Sequence, residues 1–439
     1  MKTLLVSALI VCTFGACLSA ECHGAPDPNA KPNNNPIFSS PPTFVTSVQN
    51  GKLYRAGDDE DVFDIVHVWG TPYEMGYAQG QLQKEKANKF ITSLWAYLEA
   101  QVIEAINGTV SWIPVGVAKW VADVGLDVAL DLTYDATKKY SGSYFEEEMK
   151  GICDASGADY KTLRRIHMIG ELTKGSCSMM GAWGTATEDG TPLLAFRALD
   201  WNTDGPFKDF PQVTVYHPTP GSGNGHAFMN VGWVGWIGSI TGMSSMDMAI
   251  CEIGVSFPDD TFGQESRLGI PFTYILRDIL QFDVTIDDSI SRIVNADRTC
   301  DLILGVGDGK LNEFRSVQYS HSVARFFDDK NLLPLNETWH PRIPDTVYHG
   351  MDWLCPGYSV VLANQIKEHH GGINADIAIH NILPVVQTGD LHIAVYDFAN
   401  DAIFIANARK DAASGPLNAY DRTFTKLSVS ALFGEENQP

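Results

Sequence analysis

The chain has few basic residues for its size, and this shortage excludes one broad class of partner. Its 439 residues contain 31 Lys and Arg against 53 Asp and Glu, a formal net charge of -22 at pH 7. Binding to nucleic acid requires clustered Lys and Arg that contact phosphates. We therefore expect no nucleic acid partner. The acidic balance suits a lumen of low pH, where carboxylates become partly neutral and repel one another less.

Long apolar runs are missing after the first 20 residues. The opening segment, MKTLLVSALIVCTFGACLSA, places Lys2 before an apolar run that ends in the small residues Ser19 and Ala20. This pattern is typical of a signal peptide rather than a membrane span, and no later stretch is long and uncharged enough to cross a bilayer. We expect a protein of the secretory pathway, lysosomal or secreted. The sequons at Asn107 and Asn336 are then glycosylation acceptors on surface loops.

Cysteine is sparse and scattered, which argues against a disulfide framework or a zinc site. Adjacent His369 and His370 point apart on an extended segment, with no carboxylate or Cys at a useful spacing. We expect no metal and no cofactor. One or two disulfides are plausible in a secreted chain of this size, with a pairing that sequence leaves open. After signal removal the cysteines are Cys22, Cys153, Cys177, Cys251, Cys300 and Cys355.

Cys177 opens a stretch with the pattern of a β-hairpin, CSMMGAWGTATEDGTPLLAFRALDW. The dipeptide Asp189-Gly190 is a signal for a tight hairpin turn. Folding about it brings Arg197 and Asp200 back toward Cys177. Strict pairing about such a turn sets Arg197 opposite residue 182 or 183, so we expect a bulge near residue 181 or 184 to restore the contact.

A thiol at such a position can act as an N-terminal nucleophile. If the bond between Ser176 and Cys177 is cut, the new α-amino group, with an ordinary pKa of about 7.7 to 8.0, can serve as base for the thiol of its own residue. No separate histidine is then required. The alternative for a lone cysteine is a buried core residue.

The pattern resembles the acid ceramidase, N-acylethanolamine acid amidase and penicillin acyltransferase group of N-terminal-nucleophile (Ntn) hydrolases. Cys177-Ser178 followed by the Arg-x-x-Asp of Arg197 and Asp200 is similar to the family's catalytic hairpin. The block FMNVGWVGWIGSITGMSSMDMAICEIG, residues 228–254, resembles an acid ceramidase segment. GTPYEMGYAQG and VVQTGDLHIAVYDFANDAIFIANAR are similar to the family's strand-to-helix opening and its last hairpin.

The resemblance implies roles for particular residues. Cys177 would be the nucleophile, Arg197 and Asp200 would orient and polarise its terminus, and Glu252 would hold the α-amino group or the leaving amine. The family also places an oxyanion-hole Asn late in the chain, where this sequence has DTVYHGMDW with Val347. The role stays unassigned, and His349 and Ser244 are the candidate polar contacts.

The chain divides into a helical front and a sheet-rich back. Residues 21–42 are polar and Pro-rich and predict a flexible leader. Residues 43–176 predict one strand followed by long helices, from Pro72 toward residue 105 and over 112–140, and residues 177–439 predict mainly strands. We expect one domain of the α+β class, an Ntn-hydrolase αββα sandwich of antiparallel sheets flanked by helices.

Three functions fit these residues. The first is an amidase that cleaves N-acyl bonds of lipid amides such as ceramide or N-acylethanolamine, after self-cleavage before Cys177. The second is an acyltransferase that uses the same acyl-enzyme, and the third is a non-catalytic lumenal glycoprotein with the same fold. The apolar segment 112–130 has one narrow polar stripe and predicts a core helix; the alternative is a helix that docks on membranes.

Overall fold

The computed structural model describes residues 22–106, 115–173, 175–190, 192–219, 225–409 and 418–437. The predicted signal peptide, Asn107 and Trp112 lie outside these ranges. Asn336 lies in a loop, half-buried, where its side-chain oxygen accepts hydrogen bonds from the backbone of Thr338 and Trp339. No helix within the described ranges has the length and apolar character that a bilayer crossing demands.

Most strands lie where the sequence predicts short β-rich runs. In chain order they are β1 Thr43–Val48, β2 Gly51–Ala56, β3 Phe63–Gly70, β4 Ser176–Ala182, β5 Leu194–Asp200, β6 Pro211–Pro218, β7 Phe228–Trp233, β8 Gly242–Ser244, β9 Met248–Gly254, β10 Leu302–Asp308, β11 Glu313–Tyr319, β12 Ala324–Phe327, β13 Thr346–Met351, β14 His392–Asp397, β15 Ala402–Asn407 and β16 Thr425–Ser428.

These strands form a 10-stranded sheet and a 6-stranded sheet. The order is β1-β2-β3-β6-β7-β8-β9-β10-β11-β12 in the larger sheet and β13-β4-β5-β14-β15-β16 in the smaller one. Neighbouring strands are antiparallel except for β3 and β6, which are parallel. Because β3 pairs with β6, the chain before Cys177 and the chain after it contribute to the same sheet. The hairpin of β1 and β2 adds strands to the front half that the sequence reasoning did not predict.

Helices fill the connections and cover the outer faces of the sheets. They are α1 Pro72–Leu82, α2 Lys84–Ile106, α3 Val115–Val124, α4 Leu126–Thr137, α5 Ser143–Ser156, α6 Tyr160–His167, α7 Phe272–Phe282, α8 Ile286–Asn295, α9 Pro356–His369 and α10 Val429–Phe433, with short helical turns at Ala375–Ile377, Ala378–Ile382 and Leu383–Val386.

Two predicted long helices are each divided in two. The helix that starts at Pro72 has a capping box formed by Thr71 and Glu74, and it ends at Leu82. The predicted helix over 112–140 is interrupted at Gly125, whose φ of 90° is outside the helical range. A backbone at positive φ cannot continue a right-handed helix, and glycine adopts it without a side-chain clash.

The two sheets face each other and enclose the main core. Gly181 of β4 lies so close to Phe314 of β11 that an added Cβ would be 2.3 Å from the ring. Met179 approaches Gly305 of β10 in the same way, with 2.7 Å from its sulfur to an added Cβ. A second core, which includes Val66, lies between the larger sheet and helices α1, α7 and α8. The fold is therefore a layered α and β structure with two large, mostly antiparallel sheets between helices.

The leader that composition predicts to be flexible instead lies against the body of the protein. Cys22 forms a disulfide with Cys355. The side-chain amide of Asn33 donates hydrogen bonds to the backbone carbonyls of Tyr420 and Arg422, at 3.1 and 2.8 Å. A disulfide and a buried amide fix a segment whose own residues are mostly polar. Proline and asparagine content alone does not reveal such long-range contacts.

Candidate active site

Cys177 lies near the start of a central strand pair. In the antiparallel pairing of β4 with β5, Cys177 is opposite Leu199 and Met179 is opposite Arg197. Side chains alternate along a strand, so Cys177 and Arg197 are diagonal neighbours on one face. That face points toward the larger sheet. Both strands are buried on both faces, and most of their residues are apolar.

The register of this hairpin differs from the prediction, and it brings Arg197 close to Cys177 without the predicted bulge. The strands pair without interruption from Ser176 to Ala182, so no bulge is present. The connection is longer than a two-residue turn and contains two short helical turns, Gly184–Ala186 and Glu188–Gly190. Gly184 and Gly190 both have positive φ, 54° and 64°. The Asp189-Gly190 signal therefore marks the turn region without setting the length of the loop.

A thiol, a guanidinium and a carboxylate meet between the two sheets. Arg197 Nη2 lies 3.3 Å from Cys177 Sγ and 3.2 Å from Glu252 Oε2. Glu252 is on β9 of the facing sheet, so the cluster connects the two sheets. Cys177, Arg197 and Glu252 are 1%, 0% and 6% exposed. The thiol of the uncut chain is therefore buried between the two sheets.

Burial controls the protonation of this cluster. It raises the pKa of the Cys177 thiol, an effect that the positive charge of Arg197 partly offsets and that the charges of Glu252 and Asp200 reinforce. Burial acts to lower the pKa of Arg197, but the attraction of neighbouring acidic groups, Glu252 among them, outweighs it, so the guanidinium stays charged. The uncut chain therefore keeps a protonated thiol beside a permanent cation.

Asp200 ends β5 and is held by a loop that the sequence reasoning did not single out. Its carboxylate accepts hydrogen bonds from the Thr388 hydroxyl at 2.6 Å and from the backbone of Gly389 and Asp390 at 2.8 and 3.2 Å. The Asp390 carboxylate accepts from the backbone of Trp201 at 2.7 Å. Burial raises the pKa of both carboxyls, and the charge of Asp200 raises that of Asp390 further.

His392 is a second site residue that the sequence reasoning missed. It is buried on β14, and its Nε2 lies 3.4 Å from Arg197 Nη1 and 2.8 Å from Thr241 Oγ1. Thr388, Asp390 and His392 all fall in the quoted segment VVQTGDLHIAVYDF. The sequence signal for these site residues was a group of polar residues at the start of a strand that is otherwise apolar.

The two candidate polar contacts have partners of their own. Ser244 ends β8, and its hydroxyl accepts a hydrogen bond from the Met246 backbone at 3.2 Å. His349 lies on β13 opposite Met179, and its Nε2 is 3.0 Å from Ser316 Oγ. Burial lowers the pKa of His349 well below its ordinary value. The structure thus brings Cys177, Arg197 and Glu252 into contact, while Ser244 and His349 bond elsewhere.

These features define a two-sheet protein with a buried cysteine, arginine and glutamate cluster at one end of a central hairpin. The chain is 35% identical over 429 residues to protein dcd1A of Dictyostelium discoideum, and the matched region covers 94% of each chain. It is 36% identical over 419 residues to protein dcd1B of the same organism, covering 91% of this chain and 81% of dcd1B. The chain belongs to the dcd1 family. No family model matches it.

Two solved structures illustrate a distant similarity. An N-acylethanolamine-hydrolyzing acid amidase ortholog of Caenorhabditis elegans matches with a TM-score of 0.39 and 13% identity, covering 51% of this chain and 93% of the other. A conjugated bile acid hydrolase mutant of Clostridium perfringens matches with a TM-score of 0.33 and 12% identity, covering 57% and 96%. Similarity at this level assigns neither fold family nor activity to this chain.

Proposed function

We propose that this protein is a cysteine Ntn hydrolase that cleaves carbon-nitrogen bonds of N-acyl amides after cutting its own chain before Cys177. The observation that carries the proposal is the contact of Arg197 Nη2 with both Cys177 Sγ and Glu252, in a buried cluster at the start of a central strand. A buried thiol beside a cation and a carboxylate is a candidate nucleophile with means of charge stabilisation. The resemblance to acid ceramidase-like enzymes in the same residues supports it.

Cutting the chain would supply the base that the site lacks. The nitrogen of Cys177 is part of a peptide bond in the uncut chain and is not basic. Hydrolysis of the bond after Ser176 converts it into an α-amine with an ordinary pKa of about 7.7 to 8.0. Asp200 lies opposite Ser176 in the strand pairing. Its carboxyl group is therefore at the strand end where the new terminus would form.

Cutting would also give access to the sulfur. Gly175, two residues before Cys177, lies directly on the backbone of β9. An added Cβ at Gly254 would be only 2.5 Å from the Gly175 nitrogen and oxygen. This segment closes the site next to Glu252, and it becomes a free chain end once the bond after Ser176 is cut. Turnover should therefore follow cleavage of the chain.

The catalytic cycle then has two steps. The Cys177 sulfur attacks the acyl carbon, a carbon-sulfur bond forms as the carbon-nitrogen bond breaks, and the thiol proton passes through the α-amine to the leaving amine. Water next attacks the thioester, releases a carboxylic acid and returns the proton to sulfur. Arg197 stabilises the thiolate, and Glu252 balances the charge of Arg197 inside the protein.

We propose a lipid amide as the substrate. Aromatic side chains line the neighbourhood of the site: Trp233 packs 5.5 Å from the His392 ring, and Phe207 and Trp236 pack on Trp233 at 4.6 and 5.4 Å. These aromatic side chains favour an apolar acyl chain, whose binding gains about 0.8 kcal/mol of free energy for each buried methylene. The test is a panel of N-acyl amides of increasing chain length, with Cys177→Ala as control.

The panel tests the proposed substrate class independently of the proposed Cys177 mechanism. Rates at low substrate should rise steeply with chain length. A flat dependence, or a preference for peptide amides, would reject a lipid substrate and leave the Cys177 mechanism standing. Products identified with an added amine acceptor distinguish hydrolysis from acyl transfer, and a folded chain inactive on every amide would favour a non-catalytic glycoprotein.

The proposal places the enzyme in the secretory pathway, lysosomal or secreted, with glycans on Asn107 and Asn336. The disulfide between Cys22 and Cys355 supports an oxidising compartment. Peripheral membrane contact through residues 112–130 is part of the proposal, supported by the exposed apolar side chains of Val128 within this segment and Leu132 just after it, each 42% exposed. Cosedimentation with anionic vesicles and digestion with a glycosidase test these points.

A further inference from the structure

The environment of Arg197 is shaped by three residues of β14. Ala394 is opposite Arg197 in the pairing with β5, and His392 and Tyr396 are on the same face, two residues to either side. The small side chain of Ala394 leaves space for the long side chain of Arg197 between the two rings. The Tyr396 hydroxyl bonds to the backbone of the facing sheet, at 3.0 Å from the Ile250 carbonyl.

The contact between His392 and Arg197 defines the tautomer of the imidazole. Every nitrogen of a guanidinium donates hydrogen bonds and none accepts. Nε2 of His392 faces Arg197 Nη1 at 3.4 Å, and it can accept a hydrogen bond from this nitrogen only when it carries no proton. The Thr241 hydroxyl, at 2.8 Å, donates to the same nitrogen. In that tautomer Nδ1 carries the proton of a neutral ring, and it has no hydrogen-bond partner among the described residues.

The surroundings of His392 also disfavour a charged ring. His392 is 1% exposed and lies beside the buried cation of Arg197. Burial, followed by the charge of Arg197, lowers its pKa well below the ordinary value. Trp233 and Thr241 are its other close neighbours, and neither bears a charge. Glu252 balances Arg197 through Nη2, on the other arm of the guanidinium.

We propose that His392 is a positioning residue for Arg197, a neutral imidazole whose Nε2 holds Nη1 and so keeps Nη2 directed at Cys177 and Glu252. This inference rests on the role proposed above for Cys177 and Arg197. A guanidinium held on one arm loses less freedom when the thiolate forms, because it is already oriented toward the sulfur. Thr241 fixes the imidazole in turn.

A matched pair of variants isolates the hydrogen bond. His392→Gln keeps an acceptor on a chain of similar length, whereas His392→Met has the same shape without a strong acceptor. We expect His392→Met to lower kcat by about 10- to 100-fold, the range found for residues that orient a primary functional group. KM should change little, because the contact is to the reacting centre rather than to the substrate. His392→Gln should recover most of the loss.

The controls separate positioning from general damage to the core. Thr346→Val alters another fully buried polar residue, at the far end of the pairing between β13 and β4. It should leave kcat unchanged. His392→Phe keeps a ring beside Trp233 and serves as a second variant without an acceptor if the methionine variant fails to fold. Unchanged kcat in a folded His392→Met or His392→Phe protein would overturn the proposal.

A measurement on the unmodified protein needs no turnover. Nitrogen-15 spectra of labelled histidine, with His392 assigned by its absence in His392→Gln, should show a neutral ring protonated at Nδ1 at about pH 6, below the ordinary histidine pKa of about 6.5. A charged ring, or a proton on Nε2, would overturn the proposal. If Cys177→Ala left amide turnover unchanged, the proposed function would fail, and the spectra would still decide whether His392 accepts from Arg197.

Discussion

Replacing Arg197 with methionine removes the cation that faces Glu252 inside the protein. Arg197 is fully buried and Glu252 is 6% exposed. Removal of one partner of a buried ion pair commonly costs about 3 to 5 kcal/mol, because the other charge stays in a medium of low polarity. We expect a loss of that size in the free energy of unfolding. The double variant Arg197→Met with Glu252→Gln should recover most of it, since a neutral amide then replaces the buried carboxylate.

The assay is urea unfolding in a Cys177→Ala background, where every variant stays uncut. The reasoning would be refuted if Arg197→Met were as stable as its parent. It would also be refuted if the double variant were no more stable than Arg197→Met.

A second buried ion pair provides the control for catalysis. Arg277 pairs with Glu148 away from Cys177, and each side chain is 1% exposed. Arg277→Met should cost stability to a similar degree. Only Arg197→Met, in the chain with Cys177 intact, should also lower the rate of cutting and of turnover, by about 100-fold or more.

Three further outcomes follow from the site and its supports. Cys22→Ser opens a disulfide that spans 333 residues and should lower the stability of the uncut chain by about 2 to 5 kcal/mol, the range usual for loss of a native disulfide, measured by urea unfolding. Burial and the charge of Asp200 raise the pKa of Asp390, so this carboxyl stabilises the fold below about pH 4 and loses that contribution as pH rises. Asp390→Asn should therefore raise Tm more at about pH 8 than at about pH 4, and an equal change at both would contradict it. Gly254→Ala should slow cutting in a time course, because its Cβ would enter the backbone that precedes the nucleophile, whereas Gly372→Ala, with its nearest neighbour at 3.7 Å, should cut normally.

Local patterns predict the parts of this site that lie on one hairpin. The hairpin pattern identifies Cys177 and Arg197 as partners, and the resemblance adds Glu252, but the register that places the two side chains together depends on the length of the connecting loop. The two-residue turn failed as a prediction because Gly184 permits a second turn before Gly190. The pairing of β13 with β4 joins residues far apart in sequence, and no local periodicity encodes it.

The supporting residues were harder to predict for the same reason. His392 and Asp390 reach the site only because β14 pairs with β5, almost 200 positions away along the chain. The leader is held by a disulfide and by Asn33, contacts between the two ends of the chain. Helix ends at Gly125 and Leu82 depend on single backbone angles and on packing, which hydrophobic periodicity does not resolve.

The disulfide allows the central claim, that the chain is cut before Cys177, to be tested directly. If the chain is cut before Cys177, Cys22 stays in the first fragment and Cys355 in the second, so the bond between them holds the fragments together. The decisive measurement is the intact mass of the deglycosylated secreted protein, with and without reductant, for the wild type and for Cys177→Ala. We predict one linked species that reduction separates, releasing a fragment of about 29 kDa that begins at Cys177, and an uncut Cys177→Ala chain. An active wild-type protein that remains a single uncut chain after reduction would contradict the account.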